Sequence, residues 1–257
     1  MFVGTAIRVQ FLHIPPRFVS CVYPAGALRV WAMLRDTTLL AQTPLFQGVP
    51  PQALEIAQEA FTARFYPAGT TVFKAGDLGA ALYVVQQGRV RIFRTYLDER
   101  ERVFAFLGPG EVFGEMSLLD EEPRSASAEV VADSVLLVLY REAYQGLIRR
   151  YPQVAHNIAG ILAKRLREAD LELEVLSFEE ARGRVAYALL KLYRQGFGEN
   201  GRMKLTHLEL AQLSGTSRET VTRVLHALKN EGLLRVTGGY VEIVDTTTLE
   251  EVLYGLR

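Results

Sequence analysis

The sequence predicts an α+β chain: a β-roll of jelly-roll type, one long helix, and a C-terminal domain of short helices closed by a β-hairpin. Three observations predict it. Short β-prone runs separated by Gly- and Pro-containing turns fill residues 62–140. An apolar stripe with alternating spacings of three and four runs from Ala155 to Leu176. Thr206 to Gly232 reads as two helices around Gly215, and paired β-prone runs follow.

A chain of 257 residues accommodates one large domain or two modest ones. Its 29 basic and 29 acidic residues cancel, so total charge argues neither for nor against a nucleic-acid partner. The distribution is more informative. Between Arg182 and Arg235, ten basic residues face only Glu199, Glu209, Glu219 and Glu231, a positive surplus around the C-terminal helices. The single cysteine, Cys21, excludes an intrachain disulfide framework and a four-cysteine metal site. No apolar run reaches transmembrane length and no leader pattern opens the chain, so a soluble, cytoplasmic protein is expected. Neither a nucleophile–base arrangement nor metal-ligand spacing stands out, and the expectation is a non-enzyme without a metal.

Residues 1–32 form an extension interrupted by Pro15-Pro16 and Pro24. They serve either as a short arm packed through Phe11, Phe18, Tyr23 and Trp31, or as residues ahead of a true start at Met33. The β-roll domain is assigned to 33–150, opening with an amphipathic helix within 45–60. Its strands are expected at Thr62–Tyr66, Thr70–Lys74, Ala81–Gln86, Arg89–Tyr96, Arg102–Leu107, Ser127–Val131 and Ser134–Tyr140, with Gly88 as a turn. Arg141 to Arg150 returns to helix. The long helix, 151–177, carries Ala155, Ala159, Leu162, Leu166, Ala169, Leu173 and Leu176 as a heptad seam. That seam fits a dimerisation helix, the alternative being a core-facing helix of a monomer. The C-terminal domain is assigned to 178–257, with a helix at Phe178–Leu192 and a bend near Ser177.

Within the roll, Phe113 to Ala128 differs from its surroundings. Gly114 allows close backbone approach, Glu115–Leu118 fits one helical turn, and Arg124 and Ser125 suit an anionic group. Together they suggest a phosphate cradle, with Glu115 available to a ribose hydroxyl. The plainer alternative pairs Arg124 with Glu115 or Asp120 across a loop.

In Thr206–Gly232, Thr206 and Glu209 make a capping box, Gly215 breaks the first helix, and Ser217 starts the second. This is a helix-turn-helix, with Arg218, Glu219, Thr220 and Arg223 near the start of the recognition helix. Arg donates in pairs to guanine and Glu accepts from cytosine. Leu233–Val236 and Tyr240–Val244, around Thr237-Gly238-Gly239, read as a wing from which Arg235 reaches phosphate.

This order of elements resembles the bacterial regulators of the cyclic AMP receptor protein and fumarate-nitrate reductase regulator (CRP/FNR) family, over roughly Met33 to Val244. Ser217-Arg218-Glu219-Thr220-Val221-Thr222-Arg223 is closest to the receptor-protein branch. The resemblance implies a cyclic-nucleotide-binding-like β-roll, a homodimer and double-stranded DNA as partner. By the same resemblance, Arg218, Glu219 and Arg223 read bases, Thr206 and Ser217 touch phosphate, and the half-sites are TGTGA-like. Members usually activate transcription by touching RNA polymerase, and some repress; the 195–203 loop is one surface available for such contact. Gly114, Glu115, Arg124 and Ser125 match the family's nucleotide contacts. Ala169-Asp170 departs from a Thr-Ser pair that meets adenine across the dimer. The phosphate half of a cAMP site is therefore retained and the base half altered, implying modified nucleotide recognition or effector-free DNA binding. No cofactor is required by this reading. Cys21 alone cannot hold the family's iron–sulfur cluster, and His13, His156, His207 and His226 fall outside the strands where its haem sensors place a ligand. A nucleotide-sensing module without transcriptional output is the competing function, against which the winged helix-turn-helix argues.

Overall fold

The computed structural model describes residues 37–97, 99–198 and 201–254. The expected extension 1–32, with Cys21 and His13, lies outside the described residues. In chain order, α1 (Thr37–Gln42), a 3-10 turn (Pro44–Phe46) and α2 (Pro51–Ala60) precede the strands. The roll comprises β1 (Thr62–Tyr66), β2 (Thr71–Phe73), β3 (Ala81–Thr95), β4 (Glu101–Leu107), β5 (Val112–Phe113), α3 (Met116–Asp120) and β6 (Ser127–Tyr140). Next come α4 (Arg141–Arg150), the long α5 (Pro152–Phe178) and α6 (Ala181–Arg194). The C-terminal part holds β7 (Arg202–Lys204), α7 (His207–Ser214), α8 (Arg218–Asn230), β8 (Leu234–Thr237), β9 (Tyr240–Ile243) and α9 (Thr246–Leu253).

The roll is an antiparallel sheet of order β1-β6-β3-β4, with β2 on β6 and β5 on β3. Val85, Val90, Leu107, Phe113, Ala128, Val130 and Leu136 fill its interior. Two pairs of expected strands are each one strand. Gly88 is a bulge in β3, where the pairing to β6 changes register, and not a turn. It has φ +93°, and a Cβ there would lie 2.2 Å from Ser134 Oγ and 2.5 Å from the Asp133 carbonyl. Residues 132–133 likewise continue β6. This continuity lets two long strands carry both halves of the roll.

Helix α5 has 27 residues and so spans about 40 Å. Val154 and Ile158 are buried near its start. There Asn157 Nδ2 donates to the carbonyls of Leu45 and Gln47, 2.9 Å each, fastening the 3-10 turn to the helix. The break from α6 falls at Glu179–Glu180, whose backbone is extended. The long helix therefore ends after Ser177, and α6 starts at Ala181 and not at Phe178.

The C-terminal domain closes with a β7-β9-β8 sheet. Met203, expected in a loop, pairs with Val241 and is fully buried. Helix α9 was not anticipated; Asp245 starts it by accepting the Thr248 N–H at 3.0 Å, and Leu249, Val252 and Leu253 are buried.

Gly88→Ala should destabilise the chain by about 1–3 kcal/mol, since β-carbon and backbone cannot both be accommodated. Urea unfolding measures this; an unchanged midpoint would contradict the bulge geometry.

Candidate effector cavity and nucleic-acid interface

A cavity of about 500 Å³ opens between the roll, α5 and α6. The cassette residues Gly114, Glu115, Arg124 and Ser125 line it, so the structure brings the expected group together. Arg124 is only 6 % exposed. Its Nη1 donates to the Gly114 carbonyl at 2.5 Å and its Nη2 to the Ala81 carbonyl at 2.7 Å. The guanidinium sits 4.2 Å from the Phe73 ring centroid. Burial draws its pKa down, opposed by Tyr83, Glu115 and Asp77. The pairing of Arg124 with Glu115 or Asp120 across the loop is not made.

Glu115, 1 % exposed, instead accepts from Arg165 Nη1 on α5 at 2.5 Å. Arg165 Nη2 donates to the Val112 carbonyl. Sequence reasoning missed Arg165, because nothing on α5 marks it as reaching the roll. Among the described residues lining this cavity, two buried polar atoms have no hydrogen-bond partner: Glu115 Oε2 and Arg124 Nε. Gly114 has φ +74°, and a Cβ there would fall 2.7 Å from Arg124 Nη1. Only glycine fits. Ser125 is exposed, with only a weak contact to Met116 Sδ at 3.8 Å, which leaves its hydroxyl available. Of the α5 pair, Ala169 lines the cavity while Asp170 is exposed and outside its lining.

The cavity wall includes residues from the C-terminal domain, Lys191 and Gln195. Glu172 holds this junction: Arg102 Nη2 of β4 donates to Oε1 at 2.8 Å, and Lys191 Nζ of α6 donates to Oε2 at 2.9 Å. Lys191 also donates to the Phe104 carbonyl at 3.2 Å. Nearby, Gln212 Nε2 of α7 donates to Glu101 Oε2 at 3.2 Å. Phe93, Val103 and Phe106 are buried in one apolar cluster with residues of α6, α7 and α8. Arg89 lies 3.7 Å from the Phe197 ring centroid. The sequence did carry a signal here, since Val103-Phe104-Ala105-Phe106 is apolar on both faces of β4.

At the helix-turn-helix, Thr206 makes the full capping box: its Oγ1 accepts from Glu209 N at 3.1 Å, and its N–H donates to Glu209 Oε2 at 2.7 Å. Gly215 ends α7 in the left-handed conformation. Ser217 Oγ accepts from Thr220 N at 3.1 Å and starts α8. Val221, Val224, Leu225 and Leu228 are buried, which leaves Arg218, Glu219 and Arg223 exposed. Thr222 donates to the Arg218 carbonyl at 2.9 Å and meets His207 Nδ1 at 2.8 Å, tying the two helices. The Glu219 carboxyl is held below the usual carboxylate range by its own backbone N–H, with Ser217 and Arg218 adding to this. Arg235 on the wing meets Glu242 Oε1 at 3.3 Å, so it is paired within the hairpin. Along α5, Leu166 and Leu173 are 64 % and 65 % exposed, one heptad apart, with Ala159 and Ala169 exposed between and before them. Ala155, Leu162 and Leu176 are half-buried. A stripe this apolar needs a cover.

A cavity floored by buried charges, a long helix with an uncovered apolar stripe and a winged helix-turn-helix together define a DNA-binding transcription regulator. Residues 63–151 match the cyclic nucleotide-binding domain family and residues 183–252 the Crp-like helix-turn-helix domain family. A "Cyclic AMP receptor protein" of Thermus thermophilus is 59% identical over 83% of this chain and 98% of its own length. A "CRP-like cAMP-activated global transcriptional regulator" of Mycobacterium tuberculosis is 36% identical over 82% and 96%. The crystal structure of Thermus thermophilus Catabolite Activator Protein, 59% identical, superposes with a TM-score of 0.50 over 84% of this chain and 100% of that one. The chain belongs to the CRP/FNR family of transcription regulators, on its CRP side. Among the described residues no cluster of acidic, His or Cys side chains suits a metal, and no helix is long and apolar enough to cross a membrane.

Tyr187, on α6, is pushed up to about 12 by burial first and then by Glu172 and Glu168. The folded chain therefore keeps a proton that the unfolded chain loses near pH 10. That stability is present below pH 10 and is lost as the pH rises toward 12, by roughly 2 kcal/mol. Tyr187→Phe should lack this component when unfolding free energies are compared from pH 9 to 12; parallel profiles would contradict it. Glu172→Gln should cost about 1–3 kcal/mol by urea unfolding, because Arg102 and Lys191 lose their shared anion.

Proposed function

We propose that the chain is a homodimeric regulator, mainly an activator, whose DNA binding is set by a cyclic nucleotide, with cAMP the first candidate. The observation that carries this is the pair of orphaned atoms beside the cavity, Glu115 Oε2 and Arg124 Nε. Buried polar groups are ordinarily partnered, and a buried carboxylate with a bare oxygen is costly. A sugar phosphate supplies what they lack. Arg124, with three of its five N–H donors unspent on Gly114 and Ala81, would hold the phosphate together with Ser125. Glu115 would accept from a ribose hydroxyl, and Gly114 keeps the space clear. The Thermus and Mycobacterium relatives carry cAMP in their names, which supports the same ligand here. A second reading, DNA binding without an effector, draws on Ala169, which offers the base no side-chain hydrogen bond.

Two copies joined along the α5 stripe would carry two recognition helices, suited to a palindrome with TGTGA-like half-sites. Arg218, Glu219 and Arg223 are the base readers in this reading. Thr206, Ser217, Thr220 and Arg235 serve the phosphates, Arg235 after leaving Glu242. RNA polymerase is the partner at the promoter, and a cytoplasmic location fits.

Calorimetry with cAMP and the full chain should give binding that Arg124→Met weakens roughly 10- to 100-fold. No cAMP binding by the wild type would favour the effector-free reading. For the DNA surface, Arg218→Ala should cost roughly 1–3 kcal/mol of discrimination at one base pair. Thr206→Ala should weaken specific and non-specific duplexes more evenly. A uniform loss in Arg218→Ala would remove it from the base-reading set.

A further inference from the structure

The cavity has polar groups from two domains. Beyond the cassette, α5 contributes Arg165, Glu168, Ala169, Leu173 and Leu176 to the wall; of these only Arg165 carries side-chain donors, and it donates to Glu115 and the Val112 carbonyl beside the cassette. Glu172 also lines it, but Arg102 and Lys191 engage its two oxygens. Away from Arg165 and the cassette, side-chain donors come from α6, as Lys191 and Gln195. Lys191 spends two of its three N–H groups, on Glu172 and the Phe104 carbonyl, and its side chain is 15 % exposed. The ammonium also lies 5.9 Å from the Tyr187 ring centroid, and its third N–H has no hydrogen-bond acceptor among the described residues. Gln195, one turn further along, also lines the cavity, and its side-chain amide has no partner among the described residues.

We propose that the DNA-binding domain completes the effector site: Lys191 donates to a ring nitrogen of a purine nucleotide whose phosphate lies at Arg124 and Ser125, with Gln195 beside that base. This rests on the nucleotide reading above and assigns the base-recognition end of it. A purine presents ring nitrogens as acceptors, which suits an ammonium donor, and its faces suit the apolar wall of Phe104, Leu173 and Leu176. A base read from α6 makes ligand affinity depend on where the DNA-binding domain sits. By reciprocity, the ligand biases that position.

The test is calorimetry on the full chain with cAMP and its 1-deaza, 3-deaza and 7-deaza analogues, using wild type, Lys191→Met and, as a remote control, Lys229→Met. At least one analogue should bind wild type roughly 10-fold more weakly than cAMP, the loss expected for one hydrogen bond from a charged donor. Lys191→Met should lose a similar factor with cAMP and little more with that analogue, since both changes delete one contact. Lys229→Met should bind like wild type. If all three analogues bind wild type as tightly as cAMP, no ring nitrogen is read and the proposal fails without recourse to any variant. It also fails if Lys191→Met weakens cAMP and every analogue by one common factor, which is the mark of a structural role. Absence of cAMP binding by the wild type would be a different failure, that of the nucleotide reading itself, and this assignment would fall with it.

Discussion

Two ionisable side chains, Arg124 and Glu115, lie almost without solvent beside the cavity, and much of the molecule is arranged to keep them there. Burying charge is expensive unless it is partnered. Arg124 is partnered by the Gly114 and Ala81 carbonyls, which pins the cassette to the start of β3. Glu115 is partnered by Arg165, which pins it to α5. The long helix is thereby fastened to the cavity-facing loop at one point. Seven residues later Glu172 fastens it to β4 and α6. Gln212 adds a contact from α7 to Glu101. A series of separate contacts along α5 and β4, ion pairs at Glu115 and Glu172 and the Gln212–Glu101 hydrogen bond, thus runs from the cavity to the helix-turn-helix. A perturbation beside Arg124 has a physical route to the DNA-reading helices through it.

The fold class was legible because each part has its own period. Alternation marked the strands, three-four spacing marked α5, and the Thr206–Glu209 capping box with Gly215 and Ser217 marked the turn between α7 and α8. Punctuation was the weaker signal. Gly88 looks like a turn and is a bulge, because a glycine inside an apolar run also serves close backbone approach. Phe178 looked like the start of a new helix and instead ends α5, since the extended residues Glu179 and Glu180 set the break. Helix α9 and strands β5 and β7 are short and depend on tertiary packing more than on local pattern.

The site was half legible. Gly114, Glu115, Arg124 and Ser125 are contiguous enough in sequence to read as one cassette, and they converge in space. Arg165, Glu172 and Lys191 were not, because each acts across 19 to 70 residues of sequence on partners that no local spacing predicts. The same limit applies to Arg235, whose wing position suggests a free cation but whose register neighbour is Glu242. Ala169, where the resemblance implies a Thr that meets adenine, lines the cavity. It is an apolar patch on one wall of a cavity whose other wall carries Lys191 and Gln195.

On the function proposed above, occupancy of this cavity and DNA binding are linked. The most direct measurement is fluorescence anisotropy of a labelled duplex bearing a TGTGA-type palindrome, titrated with the chain at fixed salt, with and without cAMP. Linkage predicts that saturating cAMP tightens binding to the palindrome by roughly 5- to 150-fold and tightens a scrambled duplex less. Identical palindrome affinities with and without cAMP would contradict it.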